Sequence, residues 1–221
     1  MALFAALSYA VTQSGRGGGN IDRETTALAA AQIVQYAGLI QQTIQRLQIS
    51  AGCADDELSF WDDSNGDNTE DNMDNYFNPN APSDRSCHIF QPEGGSLNSM
   101  DLDQSILDTS FSSAAFYGDF YILTTRLSDN LGTIARDLVL VTPYVSDDFC
   151  TVYNENLSNH EFFIENNQII NTAPYFTGSF IAAGDINNPT NPNAMLFGGC
   201  VQGNLPFDDS ANLAYFTLLI R

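Results

Sequence analysis

The chain has 221 residues, is 43% hydrophobic, and sets 27 acidic residues against seven basic ones for a formal charge of -20. That much apolar content supports a packed core and excludes wholesale disorder. So negative a chain repels phosphate backbones and anionic membrane surfaces, which excludes nucleic acid as a partner and favours cations.

Residues 2–13 read as a short Ala-rich helix in which Leu3, Phe4, Leu7 and Tyr9 supply the bulk for an assembly contact. The apolar run at 2–11 is about half the length a bilayer span needs, and no basic region precedes it. We therefore expect the remnant of a longer, processed or truncated segment, or a helix that packs against copies of itself or touches a membrane. Four Gly in the five residues 15–19 then break the helix and act as a swivel. Asn20 is the expected N-cap of a second helix over 21–49, with Asp22 and Glu24 in its first turn. Ile33, Tyr36, Ala37, Ile40, Ile44 and Leu47 recur at three- and four-residue spacings and make one apolar stripe. The opposite face carries Gln35, Gln41, Gln42, Gln45 and Gln48, low in charge and suited to water or to another subunit.

Residues 50–105 lack periodicity and read as a long loop region that needs support. Beyond it the pattern is that of strands. Residues 116–126 and 137–142 predict an antiparallel pair joined by a long turn, and 146–157 predict a helix capped by Ser146 with Asp147 and Asp148 in its first turn. Further strand candidates lie at 161–164, 168–171, 175–182, 195–202 and 213–220, the last tied into a sheet interior. The expected fold class is α+β: a long N-terminal helix, interrupted by the Gly-rich segment, packed on a mainly antiparallel sheet with long loops. Residues 1–19 form the apolar helix and hinge, and 20–221 form one globular domain.

Cys53, Cys87, Cys150 and Cys200 are even in number, widely spaced and free of close pairs, which suits two disulfides in an oxidising compartment. Zinc needs closer ligand pairs, and the only His are His88 and His160. Of the three possible pairings we expect Cys53–Cys87 and Cys150–Cys200, one closed loop in each half of the chain.

Residues 63–74 read DSNGDNTEDNMD. As a twelve-residue calcium loop they place Asp63, Asn65, Asp67, the Thr69 carbonyl, Asp71 and Asp74 at the coordinating positions 1, 3, 5, 7, 9 and 12. The start resembles EF-hand and dockerin loops, although Asn68 stands where Gly is expected and Pro79 and Pro82 interrupt any following helix. Nine acidic residues and no basic one lie between Asp55 and Asp74, so bound Ca2+ relieves their repulsion.

Catalytic arrangements are thin. No nucleophile elbow accompanies either His, and His88 reads as a loop residue held by its neighbouring disulfide. The Gly run at 15–19 is not followed by Lys-Ser/Thr and so is no phosphate loop. The expectation is a protein without enzymatic activity. Asn156-Leu157-Ser158 matches a glycosylation sequon.

The order of parts resembles type IV pilins and the pseudopilins of type II secretion: an apolar helix at 2–13, a Gly-rich interruption, an amphipathic helix to about 49, and a Cys-bearing β-rich domain with Cys200 near a C-terminal strand. The family's processing motif, with Phe and Glu at the start of the mature helix, is not present. The resemblance implies an exported, cell-surface subunit that assembles with copies of itself into a filament through its N-terminal helix. The competing expectation is a membrane-anchored or virion-surface protein with a ligand-binding outer domain.

Overall fold

The structure is a computed structural model that describes residues 18–62, 76–114, 116–127, 135–158, 175–180, 185–186, 198–202 and 211–221. Its first element is helix α1 (Gly18–Ser50), 33 residues long. The expected stripe is the buried one: Ile33, Ala37, Ile40, Ile44 and Leu47 are all 3% exposed or less. The helix starts earlier than expected. Asn20 lies inside it, and no acidic residue sits in its first turn. Gly costs about 1 kcal/mol against Ala in a helix interior, which a helix of this length with a buried face tolerates. Residues 2–13 and the remainder of the swivel lie outside the described residues.

Four strands form an antiparallel sheet, and a two-residue strand joins one edge. They are β1 (Tyr121–Leu127), β2 (Asp137–Val145), β3 (Asp185–Ile186), β4 (Gly198–Gln202) and β5 (Asn212–Leu219), in the order β3-β1-β2-β5-β4. β1 pairs antiparallel with β2, β2 with β5 and β5 with β4, while β3 pairs parallel with β1. The class is therefore α+β, with the C-terminal strand in the sheet interior as its apolar run predicts.

Helix α2 (Asp147–Ser158) joins α1 on one face of the sheet. The Ser146 hydroxyl accepts from the Phe149 amide at 3.2 Å, and Asp147 and Asp148 occupy the first turn, as expected. The core beneath the helices contains Ile122, Leu138, Leu140, Ala214 and Leu218 from the sheet, and Phe149 and Tyr153 from α2. The alternate residues Tyr121, Leu123, Val139, Val141, Leu213 and Tyr215 form a second core on the opposite face, packed by Phe111, Phe116 and Tyr175. A central strand buried on both faces reads as a continuous apolar run, which is why 137–142 has no polar alternation.

Two expected strands are displaced. Residues 116–120 are a turn, not the start of β1. Phe116 and Gly118 hold φ of 69° and 91°, in the left-handed region that a strand cannot use. Residues 175–180 also leave the sheet, although Phe176 donates its amide to the Ile122 carbonyl at 3.1 Å. On the same edge the Ile122 amide donates to Tyr76 Oη at 2.7 Å. Loop residues thus satisfy the outer edge of β1 there. The candidates at 161–164 and 168–171, with His160, lie outside the described residues.

Both expected disulfides form. Cys53–Cys87 closes a span of 34 residues, and Cys150–Cys200 ties α2 to β4 across 50. Beside the second, Asn154 Oδ1 accepts from the Cys200 amide at 2.8 Å, so α2 fixes β4 covalently and by hydrogen bond.

Candidate functional site

The expected calcium ligands Asp63, Asn65, Asp67, Thr69, Asp71 and Asp74 lie outside the described residues, as do the assembly residues Leu3, Phe4, Leu7 and Tyr9. The anchors of the acidic loop are described. Asp62 and Tyr76 are both 1% exposed, and the Trp61 and Phe77 rings meet edge to face at 6.4 Å. The described residues that flank it are therefore buried or in ring contact. Among the described residues no cluster of three or more His, Cys, Asp or Glu could hold a metal, and no helix is long and apolar enough to cross a membrane.

The long loop region around Cys53–Cys87 is built from backbone. Ser59 bridges to His88: its amide donates to the Cys87 carbonyl at 3.1 Å, and its carbonyl accepts from Ile89 at 2.8 Å. The Asn78 amide group donates to the Asp56 and Leu58 carbonyls at 2.8 and 2.7 Å. His88 is 5% exposed, with its ring 5.9 Å from Trp61, over which the Arg85 guanidinium stacks at 5.1 Å. Burial, then the Arg85 charge, lowers its pKa to about 4, so the imidazole is neutral at physiological pH. This is a packed loop histidine beside its disulfide, in accord with the sequence reading.

The outward side of α1 is the notable surface. Leu28, Leu39 and Ile49 are 61%, 42% and 87% exposed. With the exposed Gln32, Gln35, Gln42 and Arg46 they fall at alternating four- and three-residue steps, the spacing of a coiled-coil seam. The Gln-rich face expected from sequence is partly this surface: Gln35, Gln42 and Gln45 are exposed, whereas Gln48 turns inward to donate to Asp55 at 2.8 Å. Arg46 is held by the Gly94 and Gly95 carbonyls at 3.3 and 2.7 Å.

Along this surface runs a groove of about 490 Å³ between α1 and the segment after Met100. Ile33, Tyr36, Leu102 and Ile106 line it, with Gln32, Gln35, Asp101 and Asp103 among its polar groups. The Ser105 amide bonds Asp103 Oδ1 at 2.9 Å and holds that carboxyl below its ordinary range. A smaller lobe of about 80 Å³ shares Tyr36, Met100 and Asp101 with the groove and adds Ser99, Gly118 and Asp119. Tyr36 is 5% exposed, and its ring lies tilted against that of Phe120 at 5.3 Å. Burial raises its pKa well above the ordinary tyrosine value. A backbone hydrogen bond from Met100 opposes that rise, and the nearby Asp62 charge adds to it. The sequence reading assigned Tyr36 to the core. It is buried there, and only the structure reveals that the residue also lines a cavity.

No family model, curated protein or solved structure matches the chain.

Proposed function

We propose that this chain is an extracellular structural subunit that assembles into a pilus-like filament through its N-terminal helix. It then displays an acidic globular domain stabilised by two disulfides and by calcium in the loop at 63–74. The observation that carries this reading is the outward face of α1. The chain holds 27 acidic residues, yet none falls between Glu24 and Asp55. Arg46 is the only charged residue in that stretch, and it is occupied by backbone carbonyls. A helix face at seam spacing, carrying three exposed aliphatic side chains and no acid of its own, suits packing against a second copy of the same charge.

The two disulfides mark an oxidising compartment, which agrees with export. The apolar residues Leu3, Phe4, Leu7 and Tyr9 extend the contact beyond α1, with the Gly-rich segment as the proposed hinge. Electron microscopy of the full chain tests the reading. Regular filaments are expected, and Leu28→Asp, Leu39→Asp and Ile49→Asp together abolish them without changing the circular dichroism. Filaments that persist in that variant, or a full chain that stays monomeric at high concentration, refute it. Calcium addition raises the melting midpoint if the 63–74 loop is a site, and an unmoved midpoint removes calcium from that loop.

A further inference from the structure

The groove beside α1 has the shape and lining of a seat for an apolar helix. Ile33, Tyr36 and Leu39 line it from α1, and Leu102 and Ile106 line it from the segment after Met100. Its α1 wall runs from Ala29 to Leu39, about 15 Å of helix. Among the described residues its only charged lining is Asp101 and Asp103, both exposed. The chain itself carries a segment that fits. The apolar run at 2–11 spans about 15 Å as a helix, the length of that wall. Phe4, Leu7 and Val11 fall at i, i+3 and i+7, the spacing by which an amphipathic helix anchors in an apolar groove. Charge agrees with the fit. In a chain of net charge -20, residues 1–21 hold no acid and one base, Arg16, so the segment approaches Asp101 and Asp103 without repulsion.

We propose that the apolar segment 2–11 of one copy docks as a helix in this groove on a neighbouring copy, with Phe4, Leu7 and Val11 as its anchors. The inference rests on the reading of residues 2–13 as the assembly helix and names the surface that receives it. Reach favours a neighbour over the same copy. Ala29 lies about 16 Å along α1 from Gly18, whereas a coil the length of residues 14–17 spans about 12 Å on average. Leu39 belongs both to the groove and to the exposed face of α1, so the docked segment continues the proposed seam. Segment and groove are different surfaces, so the contact repeats from copy to copy and builds an open filament rather than a closed pair.

The probe is a fluorescein-labelled peptide of residues 2–16, ALFAALSYAVTQSGR. The acceptor is the full chain carrying Phe4→Asp, Leu7→Asp and Val11→Asp, whose own segment no longer competes. Fluorescence anisotropy is expected to show saturable binding, and the same peptide with Phe4→Asp and Leu7→Asp is expected not to bind. Adding Gln32→Trp and Gln35→Trp to the acceptor, at two exposed groove residues, weakens binding at least ten-fold with circular dichroism unchanged. No saturable binding overturns the proposal, and so does binding that the Gln32→Trp, Gln35→Trp pair leaves untouched. Either result, found beside regular filaments of the wild-type chain, leaves the filament reading standing. A wild-type chain that stays monomeric at high concentration, while its segment-silenced form binds the peptide, holds its own segment in the groove. That outcome overturns docking between copies.

Discussion

Acidification between pH 7 and 4.5 should cost this domain stability at His88. Its folded pKa of about 4 lies below the unfolded value near 6.5, so the unfolded chain binds the proton more readily. The penalty is absent above pH 6.5, grows as the pH falls through 6.5, and is complete below about 4. Full linkage at pH 4.5 gives roughly 2.5 kcal/mol, from a shift of about 2.5 units at 1.36 kcal/mol each, less the fraction already protonated when folded. The ring is not wholly shielded from solvent, and screening cuts this to about 1.5 kcal/mol. Burial and Arg85 oppose the charged ring, while Glu93 and Asp84 favour it. Carboxylates such as Asp84 and Asp103 add their own pH dependence, so the measurement is a comparison. Urea unfolding of wild type and His88→Gln at pH 7 and 4.5 should show wild type losing about 1.5 kcal/mol more. Parallel losses in the two proteins would mean that His88 is not neutral and buried beside Trp61, and the reasoning fails.

Replacing Cys150 and Cys200 by Ala releases a 50-residue loop, and the chain-entropy relation assigns that closure about 4 kcal/mol. Chemical denaturation of the double variant should show a loss of that order, with the Asn154 contact to β4 weakened in hydrogen exchange. Tyr76→Phe removes the acceptor of the Ile122 amide and should cost about 1–3 kcal/mol, with faster exchange at that one amide. Gly95→Ala should cost more than an ordinary surface change, because the added Cβ meets the Ile89 carbonyl and the Thr43 side chain; thermal melting checks it.

The elements that periodicity encodes were readable in the chain. The stripe from Ile33 to Leu47 marks the buried face of α1, and Ser146 followed by two Asp marks the start of α2. The disulfide pairing followed from an even number of widely spaced Cys and a preference for one closed loop in each half of the chain. Composition misled where conformation decides. FYGDF at 116–120 has strand residues, yet Gly118 takes a φ that only a turn accepts, and β begins at Tyr121. β3 has two residues and no periodicity to detect, so only its pairing with Arg126 and Leu127 defines it. The candidate surface divides the same way. Its Gln-rich character was legible, but the seam of Leu28, Leu39 and Ile49 emerges only when exposure separates these aliphatics from those of the core. The lobe at Tyr36 joins three segments distant in sequence, and no local pattern announces it.

Charge segregation decides whether such subunits can pack side by side. Each copy carries -20, and close approach of two such domains is repulsive wherever acids face one another. At physiological ionic strength the Debye length is about 8 Å, slightly less than the roughly 10 Å diameter of a helix. Acids on the far side of the domain are therefore screened from a contact made along α1. Asp22 and Glu24 near one end of the acid-free stretch and Asp55 just past the other are not. Asp55 is already paired with the Arg221 guanidinium at 2.9 Å, and Arg23 stands beside Asp22 and Glu24, bonded to Glu155 at 2.7 Å. The proposed seam thus meets residual repulsion at its N-terminal end and where Asp101 and Asp103 flank the groove, and the Debye length controls both. Assembly should weaken as salt is lowered from about 150 to 10 mM, because the Debye length then grows to about 30 Å and spans the domain. Sedimentation of the full chain across that range reads this directly. Assembly that strengthens in low salt would point to a contact made by opposite charges and away from the acid-free face of α1.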